Sequence, residues 1–205
     1  NELAFDSQDS NLIYAATQGT GLWKSTDGGQ SWAATPSPAG LDFIETVATH
    51  PEIGETVYVG AGDALGGPDS GVYVSYDAGE NWTFLSFGIG GQLLFAPTIP
   101  PTLYGRSASS QYTGLVRSTD GGQTWEQMEE APIPISLATA TDGERVMLYI
   151  GSAGGMVTQA GTQAVSSSNA VLGQSTILGG GVYRLTTILP TDWVYLPLVL
   201  RGHTP

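Results

Sequence analysis

The sequence predicts an all-β fold, a β-propeller of four four-stranded blades, and three observations predict it. First, the stretch Ser25-Thr26-Asp27-Gly28-Gly29-Gln30-Ser31-Trp32 returns as Ser75-Tyr76-Asp77-Ala78-Gly79-Glu80-Asn81-Trp82 and as Ser118-Thr119-Asp120-Gly121-Gly122-Gln123-Thr124-Trp125. Second, Tyr14, Tyr58, Tyr104 and Tyr149 each sit in a short strand pattern, 44, 46 and 45 residues apart. That interval is the length of a propeller blade. Third, 29 glycines and 12 prolines in 205 residues make a turn-rich chain, while 40% hydrophobic content is too high for disorder.

Each octet reads as a turn between antiparallel strands. An Asp side chain accepts bonds from backbone N–H groups just ahead of it and so holds a turn. The Gly two places after the Asp takes a positive φ at little steric cost, and the Trp sets a large apolar surface beside the turn. The chain divides into blades of about 1–40, 41–88, 89–132 and 133–205 within a single domain. Blade one is expected to use residues 3–5, 12–17, 21–25 and 31–35. Blade two uses 44–49, 56–60, 71–75 and 81–86, and blade three uses 92–96, 102–106, 114–118 and 124–128. In each, four strands run from the central axis outward.

Blade four has no octet. Gly181-Val182-Tyr183-Arg184 repeats the third-strand pattern of Gly21-Leu22-Trp23-Lys24. Trp193 follows Gly181 by twelve places, against eleven in the other blades, so residues 193–200 are expected as the outer strand. Pro197 is tolerable there, because an outer strand is an edge. An insertion at 151–180 carries two β-capable arms, 156–165 and 170–178, around Ser166-Ser167-Ser168-Asn169. It reads as a long hairpin whose unpaired edges let another chain join, with a flexible linker as the alternative.

The octet resembles the Asp-box, or BNR repeat, Ser-x-Asp-x-Gly-x-x-Trp. That repeat is seen in sialidase propellers, sortilin-type receptors, xyloglucanase-type glycosidases and photosystem-assembly propellers. The resemblance implies that Ser25, Asp27, Gly29, Trp32, Ser75, Asp77, Gly79, Trp82, Ser118, Asp120, Gly122 and Trp125 are structural and lie away from any active site. Asp-box proteins usually have six or more blades. Four blades here therefore form either a closed ring or the C-terminal part of a larger propeller. The tail Tyr195-Leu196-Pro197-Leu198-Val199-Leu200-Arg201 resembles the ending of exported proteins of filamentous green bacteria, which implies an extracellular or cell-surface location.

The formal net charge is −13, from 19 acids against 6 bases. Phosphate binding wants a basic patch, so nucleic acid is not an expected partner, and neither is an anionic membrane surface. No apolar run reaches the length of a membrane span, so no membrane insertion is expected. With no cysteine there is neither a disulfide nor thiolate chemistry. The opening Asn1-Glu2-Leu3-Ala4-Phe5-Asp6 reads as a start part-way into a strand, as in a trimmed or longer chain, rather than as a signal peptide.

Strand order puts the octets on one face of the propeller and the remaining loops on the other, around the mouth of the channel. Candidate binding residues on that second face are Asp42 and Phe43, Asp63 and Asp69, and Arg106, Gln111 and Tyr112. Asp63 and Asp69 supply the oxygen chemistry that Ca²⁺ takes, but their spacing fits no standard loop. No cofactor is expected, with calcium as the weaker alternative. His50 and His203 are too few and too separated for a metal site. No nucleophile elbow, phosphate loop or His-Glu-x-x-His is present. The arginines do not supply the cluster that a sialidase resemblance would require. Paired carboxylates of a glycosidase cannot be judged from spacing. No catalytic residue is assigned. The expectation is a non-catalytic extracellular scaffold acting in self-assembly or in protein or glycan binding. The alternative is a fragment of a carbohydrate-active enzyme.

Overall fold

The computed structural model describes residues 2–40, 42–62, 70–108, 113–129, 131, 133–142 and 145–152, and the backbone of 175–179 and 182–188. Within them the fold is all-β, in four four-stranded antiparallel sheets. Sheet one is β1 (Glu2–Phe5), β2 (Ile13–Thr17), β3 (Gly21–Ser25) and β4 (Ala33–Ala34), in that spatial order. Sheet two follows the same order with β5 (Phe43–Thr49), β6 (Val57–Gly62), β7 (Gly71–Ser75) and β8 (Thr83–Phe87). Sheet three repeats it with β9 (Ile89–Ala96), β10 (Thr102–Ala108), β11 (Thr113–Ser118) and β12 (Glu126–Gln127).

The sheets share one register. Ala4 faces Tyr14, Ala48 faces Tyr58, Leu94 faces Tyr104 and Ala138 faces Tyr149 across the first strand pair of each blade. Side chains alternate across a strand, so each blade has one face toward the blade before it and one toward the blade after. The core is made between those faces. Tyr14, Ala16 and Leu22 of blade one meet Ile44, Val47, Val57 and Val59 of blade two. Ala48, Tyr58, Val72 and Val74 then meet Leu93, Phe95 and Leu103 of blade three. Ala96, Tyr104 and Leu115 meet Val146, Leu148 and Ile150 of blade four. Burying one such Val, Leu or Ile contributes about 1.5–3 kcal/mol, so the seams between blades hold the molecule together.

The periodic tyrosines have a mechanical role at these seams. Ala78, in the second octet, packs on the cluster that contains Tyr14. The Tyr58 hydroxyl lies 3.3 Å from where a Cβ would stand on Gly121, in the third octet. Each of these tyrosines therefore seats the octet of the next blade, and burial pushes the Tyr58 phenol up to about 12.

Blade four departs from the expected order. Its strands are β13 (Ser136–Asp142), β14 (Arg145–Gly151), β15 (Ser175–Gly179) and β16 (Val182–Ile188), and they stand in the order β13-β14-β16-β15. The place beside β16, where residues 193–200 are expected, is taken by β15, from the second arm of the insertion. Those residues, like the arm 156–165, lie outside the described residues. The arrangement gives a physical reason for the missing octet. In blades one to three the octet joins the third strand to the fourth. In blade four β15 comes before β16 in sequence, and Gly179 and Gly151 both pair with Val182 at one end of the sheet. Among the described residues, β16 is therefore not joined to its outer neighbour through an octet corner.

Sheet packing runs from neighbour to neighbour: β1 and β2 on β5, β5 and β6 on β9, β9 on β13. Among the described residues β13 and β1 share no comparable packing, so the described strands of the four blades form an arc.

Candidate functional site

The inner strands of the arc line a groove of about 350 Å³ bounded by Glu2, Gln18, Glu45, Gly91, Gln92, Arg106 and Ile135. All four blades contribute to it. The residues reach it through irregularities in the ladders. In β5 the pairing passes from Ile44–Ala61 to Thr46–Gly60, which leaves Glu45 as an extra residue. In β9 the residues Gly90, Gly91 and Gln92 stand opposite the single Arg106, between the Gly105–Leu93 and Ser107–Ile89 pairs. Bulges of this kind re-aim side chains and collect beside functional sites.

Two glycines let the bulged backbone sit where it does. A Cβ on Gly60 would stand 2.0 Å from the Gly90 carbonyl oxygen, so the blades touch there backbone to backbone. A Cβ on Gly91 would stand 2.5 Å from Arg106 Nε, so the guanidinium lies directly on the bare glycine. Among the described residues, neither the Arg106 nor the Glu45 side chain has a hydrogen-bond or ion-pair partner, and the two ion pairs, Lys24–Glu80 and Arg117–Glu126, lie elsewhere. Glu2 is different. One of its carboxylate oxygens accepts the Thr46 hydroxyl and, at 3.1 Å, the Val47 N–H. Thr46 Oγ1 in turn accepts the Leu93 N–H at 3.0 Å. A relay therefore links the inner strands of blades one, two and three beneath the groove.

The octets stand between the third and fourth strands, at the other end of those strands from the 18–20 turn. Ser25 Oγ donates to Asp27 Oδ1 at 2.8 Å and accepts the Gly29 N–H at 2.8 Å. Asp27 also accepts the Ser31 N–H and, through its other oxygen, the Ser31 hydroxyl. The second and third copies repeat the set with Ser75, Asp77, Gly79 and Asn81, and with Ser118, Asp120, Gly122 and Thr124. Positive φ occurs at two adjacent places in each, Gly28 and Gly29, Ala78 and Gly79, Gly121 and Gly122. Ala78 adopts it without being glycine. Trp32 and Trp125 donate to the carbonyls of Gly29 and Gly122, whereas Trp82 reaches across to the Pro36 carbonyl at 2.8 Å. The donors around Asp27 and Asp77, led by Ser31 and Asn81, hold both carboxyls down at about 2. Partial burial works the other way on Asp120, but the bonds from Thr124 and Ser118 outweigh it and its carboxyl is lowered too.

The family model of the BNR/Asp-box repeat matches residues 116–127, the third octet with the end of the strand before it. These corners are Asp-boxes. The chain is 28% identical over 151 residues to a xyloglucanase of Paenibacillus sp, which covers 64% of this chain and 14% of that protein. It is 30% identical over 153 residues to the xyloglucanase Xgh74A of Acetivibrio thermocellus, covering 64% of this chain and 18% of the relative. The chain thus spans less than a fifth of either. Among solved structures, an ancestral GH74 enzyme superposes with a TM-score of 0.55 at 21% identity, over 75% of this chain and 22% of the other. YCF48 bound to D1 peptide superposes with a TM-score of 0.51 at 14% identity, over 74% and 47%. Both speak for the fold, that of an Asp-box propeller fragment.

No Asp-box aspartate lines the groove. Arg106 does. Asp42 does not: its side chain is exposed, and its carbonyl accepts the N–H groups of Gly19 and Gly21 at 3.0 and 2.9 Å. Asp63, Asp69, Gln111 and Tyr112 lie outside the described residues. Sequence reasoning missed Glu2, Gln18, Glu45 and Gln92. A signal existed in the pair Glu45-Thr46, which interrupts the apolar pattern of β5, and in Gly90-Gly91 inside a strand. His50 Nδ1 accepts the N–H groups of Glu52 and Ile53 at 3.1 Å, while its ring lies 5.2 Å from Phe95 and burial lowers its basicity. No group of three or more His, Asp or Glu able to hold a metal occurs among the described residues.

Proposed function

We propose that this chain is the ligand-binding arc of an extracellular Asp-box propeller, non-catalytic in itself, which takes a neutral glycan in the axial groove. The observation that carries the reading is two side chains of one groove, Glu45 on a bulged strand and Arg106 opposite another bulge, both unpartnered among the described residues. A sugar hydroxyl both donates and accepts. It therefore matches a wall that offers guanidinium donors, a carboxylate acceptor and the amides of Gln18 and Gln92. The xyloglucanase relatives support a glycan over other polar ligands. Titration calorimetry with xyloglucan oligosaccharides tests it. A hydrogen bond to a charged group contributes about 1.5–3 kcal/mol, so Arg106→Ala is expected to weaken binding by roughly 10–150-fold. Absence of binding, or binding indifferent to Arg106→Ala, counts against the reading.

One observation favours a second reading, part of a carbohydrate-active enzyme: Glu2 and Glu45 line the same groove, and glycoside hydrolysis uses two carboxylates. Release of reducing ends from xyloglucan, lost in Glu45→Gln, would move the assignment there. A peptide is the other occupant to test, since the YCF48 neighbour was solved with one. A panel of extended peptides in the same titration separates the two.

A further inference from the structure

We propose that the axial groove prefers a glycan with free amino groups, an amino sugar, over a neutral glycan on the same backbone. The inference rests on the reading of the groove as a glycan site and sharpens it. A neutral glycan fits the wall, and a protonated amine fits it better.

The observation is a separation of charge across the cavity. Among the described residues its lining carries two carboxylates, Glu2 and Glu45, and one guanidinium, Arg106. All three residues are half-buried. A charge drawn part-way out of water is costly unless something pairs it. Yet Glu45 and Arg106 form no ion pair with each other, although both face one space of about 350 Å³. The strands hold them on different sides. Glu2 stands on β1 and Glu45 on β5, and the hydroxyl of Thr46, next to Glu45, is bonded to the Glu2 carboxylate. The carboxylates therefore belong to the side of blades one and two. Arg106 stands on β10 of blade three, seated on the bare Gly91, where a Cβ would stand 2.5 Å from its Nε and 2.6 Å from its Nη2. One side of the groove is thus negative and the other positive.

The two carboxylates are not equivalent. Glu2 is fixed by the Thr46 hydroxyl and the Val47 N–H, neutral donors that orient the carboxylate without cancelling its charge. Glu45, the extra residue of the β5 bulge, has no donor among the described residues. An ammonium on the ligand supplies one, and a hydrogen bond between ionised partners is about twice as strong as a neutral one. Hydroxyls and ring oxygens of the same sugar remain for Arg106 and for the amides of Gln18 and Gln92. An anionic glycan satisfies Arg106 alone. It also sets its own charge against two carboxylates, in a chain of net charge −13. The balance of sign in the groove favours the amine.

Titration calorimetry at about pH 5.5, where carboxylates stay ionised, tests this with a glucosamine trisaccharide, its fully N-acetylated form and cellotriose. These ligands share one backbone, and only the first is charged. It is expected to bind roughly tenfold or more tighter than the other two, with an advantage that shrinks as salt is added. Glu45→Gln keeps the size of a side chain that makes no bond within the fold. The variant is expected to unfold at the same temperature and to lose the advantage. Arg106→Ala is expected to weaken all of the ligands and to keep the advantage. Equal binding of the amino and neutral trisaccharides overturns the amine preference and leaves the glycan reading standing. An advantage that survives Glu45→Gln overturns it too, because the charge of the whole chain would then be what selects. So does tighter binding of a galacturonic acid trisaccharide. Binding of no saccharide at all overturns both the preference and the glycan reading.

Discussion

Ser75→Ala isolates what one Asp-box corner contributes. Ser75 is buried, and its hydroxyl donates to Asp77 Oδ1 at 2.7 Å while accepting the N–H of Gly79 at 2.8 Å and of Asp77 at 3.3 Å. Alanine fits the strand and removes all three bonds. The Gly79 N–H is then left buried without an acceptor, which costs about 1–3 kcal/mol. For a chain of this length each kcal/mol is worth about 2–4 °C in the unfolding midpoint. The expected loss is thus roughly 2–12 °C, read by circular dichroism on heating. Ser31→Ala is the reference. Its hydroxyl bonds Asp27 Oδ2 at the surface, where water takes over the lost contact, so its cost is smaller. Equal midpoints for the two variants would refute the idea that the buried serine, and not the exposed one, fixes the corner.

Acid should loosen the fold through the same corners. The folded-state carboxyls of Asp27 and Asp77 sit at about 2, below the ordinary carboxylate range. Their stabilisation is therefore complete above about pH 4 and lost as pH falls toward 2. Replacing both with Asn should flatten urea midpoints across that window. Gly60→Ala puts a Cβ into the Gly90 carbonyl oxygen. Neither backbone can yield without parting the seam, so a loss of about 1–3 kcal/mol or more is expected in urea unfolding. Gly91→Ala instead meets a side chain. It should displace Arg106 and weaken glycan titration while moving the urea midpoint little. Glu2→Ala removes the acceptor of Thr46 and Val47 and should cost about 1–3 kcal/mol.

The repeats were legible because each rests on a local rule. Asp followed by a positive-φ pair sets a corner whatever surrounds it, and a tyrosine every 45 or so residues marks one seam per blade. Blade four was misread because Gly181-Val182-Tyr183-Arg184 signals a third strand without saying which segment lies outside it. The place beside β16 went to Ser175–Gly179, while Trp193 lies outside the described residues. The groove was legible only at Arg106. Bulges at Glu45 and Gly90-Gly91-Gln92 depend on how one strand is matched against its neighbour, and no single strand carries that information. Asp42, a candidate from its loop position, holds the turn at Gly19 and Gly21 through its backbone carbonyl.

The exchanged edge of blade four bears on how the chain folds. Blades one to three can zip up from the axis outward, each strand pairing with the one made just before it. The third strand of blade four must instead find β14 across residues 152–181, against residues 18–20 in blade one. Closing the tenfold longer span adds about 2 kcal/mol of chain entropy. Completion of that sheet should accordingly be the last and slowest event of refolding, with three blades protected from hydrogen exchange before the fourth.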